Sequence, residues 1–229
     1  MPPVKEPHAK SLSPLRTTVW VFAFMGILYL SWIGAWLLER RLEPHMGCLT
    51  TSGGRFCYWL LMKLLLWVVP SLALIRTAGM TVRQVMRCNR TRSIVLLGGG
   101  TGLLLGIFAL ATKWAGQQPF FSSPLGWPLI SGVVIAPLVE EFVFRGAVLG
   151  ALGGAFRFWI ANTITALFFL GIHLPGWYFQ GRLFATLSDP VGGALSIFLL
   201  GLVFGYVAHK SGAVSSSVLA HALNNLFNA

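Results

Sequence analysis

Glu140, Glu141 and Arg145 lie within six positions of one another in a stretch that is otherwise apolar. The whole chain has six acidic residues, so two side by side need a chemical reason. If the stretch crosses a bilayer, each charge costs about 2.5–3.5 kcal/mol at a helix centre on insertion scales, and such residues mark functional sites. Positions four apart share a helix face, so Glu141 and Arg145 can pair, with the glutamate on the favoured N-terminal side. Glu140 is turned about 100° away. The spacing predicts one carboxylate held by Arg145 and one left for chemistry. A buried ion-pair network that only fixes helix packing is the alternative.

Further polar groups stand in two later apolar runs. Phe169-Leu170-Gly171-Ile172-His173 closes one, and His221-Ala222-Leu223-Asn224-Asn225 lies in the last. Taken singly, a histidine or asparagine in a membrane helix is an ordinary bridge between helices. Taken together, three separate runs each carry a group able to do acid–base or oxyanion chemistry. The chemistry that fits is addition of water to an amide carbonyl. A carboxylate in an apolar pocket can act as general base. An imidazole can orient the water or relay its proton, and an imidazole with an asparagine amide can hold the oxyanion. Glu140, His173 and His221 also form a two-histidine, one-carboxylate set that could take zinc, although no HExxH is present. Ser215, Ser216 and Ser217 stand near His221, but no Gly-x-Ser-x-Gly elbow accompanies them.

Such groups need membrane helices to carry them. The 229 residues are 55% hydrophobic and 10% charged, whereas a soluble domain carries about 25% charged residues. Long apolar runs point to helices rather than a barrel. The expectation is an all-α, polytopic transmembrane helical bundle of about seven spans, six to eight. The runs are about Thr18–Leu38, Phe56–Ile75, Ser93–Thr112, Trp127–Leu149, Phe158–His173 with Pro175 ending it, Pro190–Ala208 and Ala213–Phe227. Pro70 should bend its helix, and Pro137 should leave the carbonyl of Val133 without a donor. Gly98-Gly99-Gly100-Thr101-Gly102 lacks the strand and the Gly-Lys-Ser/Thr ending of a phosphate loop. It reads as close helix packing, as do Gly146, Gly150 and Gly154, and Gly201 with Gly205.

The net charge of +11 would suggest nucleic acid in a soluble protein. Here the basic residues sit in loops and orient the spans, and no nucleic-acid partner is expected. With a cytoplasmic N-terminus, the inner segments hold Lys5, Lys10, Arg16, Arg76, Arg83, Arg87, Arg90, Arg92, Arg145, Arg157 and Lys210, eleven in all. The outer ones hold Arg40, Arg41, Arg55, Lys113 and Arg182, five in all. That bias puts the N-terminus inside, in a plasma (inner) membrane, and opens the pocket nearer the extracytoplasmic face. The first apolar run is too long for a signal-peptide core and should remain as a span. Cys48, Cys57 and Cys88 form no CxxC pair. Cys48 and Cys57 could close a disulfide if their loop faces an oxidising compartment; three separate thiols are the alternative.

Glu140-Glu141-x-x-x-Arg145, Phe169-x-x-x-His173 and His221-x-x-x-Asn225 resemble the three motifs of the CAAX-prenyl-protease and bacteriocin-processing family, which includes the type II CAAX prenyl endopeptidase. The resemblance covers about residues 127–229 and makes them a catalytic core; residues 1–126 are spans and loops of unassigned role. It implies an intramembrane endopeptidase that cuts near the terminus of a membrane-associated protein or peptide. Glu140 and His173 would hold and activate water, His221 and Asn225 would stabilise the oxyanion, and Glu141, Arg145 and Phe169 would support them. It implies glutamate chemistry without a metal, zinc at Glu140, His173 and His221 being the minority alternative. A non-catalytic immunity or regulatory protein on the same fold is the competing function. A transporter with a midplane ion site is a third, but no broken, inverted-repeat helices support it.

Overall fold

The computed structural model describes residues 13–121 and 125–229, so Lys5 and Lys10 of the charge count lie outside the described residues. The chain is 82% helix, and the described residues contain no strand. Helix α1 (Pro14–Leu42) is followed by α2 (Ser52–Thr77), a short α3 (Val82–Met86), α4 (Thr91–Ala115) and α5 (Trp127–Leu152). Then come α6 (Phe158–Gly171), α7 (His173–Phe179), α8 (Leu183–Ser188), α9 (Ala194–Ser211) and α10 (Val214–Asn228). Taking α6 and α7 as one rod, six helices among the described residues are long and apolar enough to cross a membrane. α10 has 15 residues and falls short of that length, but it packs inside the bundle against α4, α5 and α9. Large apolar side chains such as Leu30, Leu104 and Phe108 point outward, as lipid-facing positions require. The protein is an integral, multi-pass membrane protein.

Glycine sets the closest approaches. A Cβ on Gly102 would stand 2.7 Å from Leu223 Cβ, so α4 can meet α10 only without side chains there. Gly201 meets Ala166 and Gly205 meets Asn162 in the same way between α9 and α6. Gly146 and Gly150 make room for Val85 and Met80 of residues 76–92, a segment with five arginines, rather than for another span.

Prolines distort two spans. The turns Leu64–Val68 and Ser131–Ile135 are wide, with Val69 N–H reaching Leu64 O and Ala136 N–H reaching Ser131 O. Each ends just before a proline, whose ring would clash with the carbonyl four residues back; a wide turn relieves that clash. In this register the next donor would be residue 137 and its acceptor Gly132. The carbonyl that Pro137 strands is therefore that of Gly132, not Val133.

Pro175 does not end its helix. The rod breaks at Ile172 and restarts at His173, which puts Pro175 in the first turn of α7. A missing N–H costs nothing there, because first-turn donors have no intrahelical partner.

The two ends of the bundle differ in charge. At one, Arg90 donates to Ser211 O and Ser215 Oγ to Met86 O, joining the five-arginine segment to the end of α9 and the start of α10. At the other, Arg40 donates to Phe179 O, and Phe56 stacks on Trp127 with ring centroids 4.8 Å apart. Cys48, Cys57 and Cys88 are all free and exposed, so the Cys48–Cys57 bridge is not formed. Cys57 already lies within α2, and Cys48 in the turn before it.

The charge bias carries an expectation about orientation. In a cysteine-free background, Gln180→Cys should react with a membrane-impermeant maleimide from the extracytoplasmic side, and Arg83→Cys only from the cytoplasmic side. The reverse pattern overturns it.

Candidate active site

Glu140 and Glu141 have parted company, as adjacent helical residues must. Glu141 is wholly buried and its Oε1 takes two donors: Arg145 Nη1 at 3.0 Å and His221 Nδ1 at 2.9 Å. Arg145 also donates through Nη2 to Gly201 O at 2.8 Å, and its guanidinium lies 4.5 Å from the Phe169 ring centre. Among the described residues, Glu141 Oε2 and Arg145 Nε have no partner. A planar fork can serve carboxylate and carbonyl together while stacking on an aromatic face, which an ammonium cannot. Arg145 thus ties α5 to α9, and Glu141 ties α5 to α10.

Glu140 turns to α2. Its Oε1 lies 3.2 Å from Lys63 Nζ, and its Oε2 has no hydrogen bond among the described residues. Lys63 stands just before the wide turn of α2, and Glu140 three residues after Pro137 on α5, so both ends of this pair border distorted helix. Together with His173, Trp36, Trp67 and Trp177 they line a cavity of about 170 Å³. Gln180 and Arg182 also line it, so it opens toward the end of the bundle opposite the five-arginine segment. A larger cavity of about 580 Å³ lies at that other end; its lining includes His209, Arg87 and part of Arg145 but no carboxylate.

The break at Ile172 places His173 at the head of α7, where its ring lines the cavity. Its Nδ1 is 2.7 Å from Phe169 O. A carbonyl only accepts, so Nδ1 carries the hydrogen and Nε2 is bare in the neutral ring. The Phe169 ring meets His173 edgewise at 4.9 Å and His221 edgewise at 6.0 Å, so this one side chain spaces the two imidazoles. His221 stacks on Phe204 at 4.6 Å. Asn225 Nδ2 donates to Gly132 O at 2.8 Å, the carbonyl stranded by Pro137. That bond uses one amide hydrogen and leaves the other.

Glu140 and His173 therefore share one cavity, while His221 and Asn225 do not line it and join the cluster through Glu141, Phe169 and Gly132. The donors for a metal do not gather. Lys63 holds an ammonium on Glu140, where a metal would put a second cation, and Glu141 occupies His221 Nδ1. Among the described residues no three His, Cys, Asp or Glu side chains are grouped to hold an ion. Sequence reasoning gave Lys63 no role. A lone cation midway through an apolar run was the signal that could have found it.

Residues 122–227 match the family model described as type II CAAX prenyl endopeptidase Rce1-like. The match takes in Glu140, Glu141, Arg145, Phe169, His173, His221 and Asn225, and leaves Lys63 outside. No curated protein and no solved structure matches the chain.

Proposed function

We propose that this membrane protein, whose residues 122–227 match the type II CAAX prenyl endopeptidase Rce1-like model, hydrolyses a peptide bond near the terminus of a membrane-associated protein or peptide. Glu140 is the general base. The observation that carries this reading is the split between the carboxylates: Glu141 is buried away from the cavity with its Oε1 held by Arg145 and His221, while Glu140 keeps a free oxygen at the wall of a cavity that also holds His173. Water between Glu140 Oε2 and the bare Nε2 of His173 would be deprotonated by the first and oriented by the second.

The oxyanion falls to His221 and Asn225. Asn225 has one amide hydrogen to give. His221 can donate through Nε2 only when its ring holds both protons, and the Glu141 carboxylate beside Nδ1 is the counter-charge for that form. Residues 127–229 act as the catalytic core. The bilayer delivers the substrate, and the charge bias supports an opening on the extracytoplasmic side of a plasma (inner) membrane.

The test is a comparison of peptide termini in membranes from cells making the wild type or Glu140→Gln. Termini that appear only with the wild type identify the substrates; identical sets favour the non-catalytic immunity or regulatory role.

The route needs no metal. Purified active protein is expected to hold no stoichiometric zinc and to keep its rate after chelation. One zinc per chain, lost in both His173→Ala and His221→Ala, would transfer Glu140, His173 and His221 to a metal site.

A further inference from the structure

Lys63 is the one cation in the apolar interior of α2, and it reaches the candidate general base from outside the family-matched segment. Its ammonium lies 3.2 Å from Glu140 Oε1 and 5.3 Å from the centre of the Trp67 ring, which steadies it on the other side. The two side chains are 13% and 11% exposed, and both face the same cavity. A charge in such a place is retained only with a partner.

We propose that Lys63 is the positioning residue and counter-ion of Glu140, through which the N-terminal spans complete the active site. This rests on Glu140 being the general base. By taking Oε1, the ammonium fixes the carboxylate plane and leaves Oε2 for water.

The same ammonium serves the reaction electrostatically. As Glu140 Oε2 takes a proton from water, the water oxygen bonds to the carbonyl carbon and the C=O electron pair moves onto oxygen. Negative charge leaves the carboxylate and appears on the former carbonyl oxygen. Lys63 keeps its charge, so the pocket holds one positive and one negative charge before and after. The proton on Glu140 then passes to the leaving nitrogen as the C–N bond breaks, and the starting pair is restored. A fixed charge that need not reorganise during the step is the efficient kind.

The test uses full-length protein in detergent and three readouts. Dicyclohexylcarbodiimide adds to carboxyl groups in their protonated form, so its rate of attachment at Glu140, mapped by mass spectrometry, reports whether that group is held charged. Lys63→Met should raise this rate by at least about tenfold, and Lys63→Arg should stay near the wild type. With a farnesylated CAAX reporter peptide, Lys63→Met should lower kcat by about 100-fold while changing KM little, and Lys63→Arg should restore most of the loss. Lys63→Met should also lower the Tm of the wild type but not that of Glu140→Gln, where no carboxylate is stranded. Equal carbodiimide labelling of wild type and Lys63→Met overturns the role of Lys63 and leaves Glu140 as base untouched. Hydrolysis that survives Glu140→Gln removes the general-base reading itself, and the catalytic role of Lys63 with it.

Discussion

Purified Glu140→Gln is expected to insert and melt close to the wild type and to lose about 10²–10⁴-fold of its hydrolytic rate. The replacement keeps the size and shape of the side chain, and the amide oxygen can still accept from Lys63, so the wall of the cavity is preserved. What it removes is an oxygen able to take a proton. Glu140→Asp should fall between: the carboxylate survives but retreats by one methylene from both Lys63 and the water it must reach, and small misplacements of a catalytic group are costly. Rates on a reporter peptide, with Tm read on the same preparations, decide the matter. A well-folded Glu140→Gln protein that still cleaves would sink the mechanism.

Arg145→Ala should fail in the other order, through stability first. The guanidinium and the Glu141 carboxylate are both fully buried, and Arg145 also donates to Gly201 O between the faces of Phe169 and Phe204. Removing it strands a buried charge and a carbonyl at once, at a cost of roughly 3–5 kcal/mol. Membrane yield and Tm should drop along with activity. Arg145→Lys should recover only part, since one ammonium cannot replace the fork. Adding Glu141→Gln to Arg145→Ala should return some stability by removing the stranded charge, yet leave the enzyme impaired, because His221 has then lost its counter-charge. An Arg145→Ala protein as stable as the wild type would mean that Glu141 is not ionised in the fold.

What was legible in the sequence was local. The Glu141–Arg145 pair followed from helical spacing alone, and the close contact at Gly102 from the absence of a Cβ in an apolar run. The long-range partners were not legible. Glu141 meets His221 across 80 positions and Glu140 meets Lys63 across 77, and nothing in a single sequence states which of two adjacent carboxylates faces which helix. The Asn225–Gly132 bond was hidden for a different reason. Its acceptor depends on a turn being one residue wider than a regular helix, which shifts the orphaned carbonyl from 133 to 132. Pro175 was misread because a proline that ends one helix and a proline that opens the next look alike until the break at Ile172 is seen.

The Lys63–Glu140 pair also bears on how the protein feels membrane voltage. Both residues sit near the middle of their spans, 12 residues into the 26 of α2 and 14 into the 26 of α5. A full elementary charge carried across the bilayer exchanges about 2.3 kcal/mol per 100 mV with the field. Because ammonium and carboxylate lie side by side, their couplings to that field cancel, and the pair can shift together as substrate enters without electrical work. The proposed hydrolytic cycle would exchange one negative site in the pocket for another, so on that reading it too would move little charge along the membrane normal. On that reading its rate would be set by the chemistry of the cavity and be indifferent to whether the cell is polarised. A lone carboxylate at the same depth would make every cycle answer to the potential.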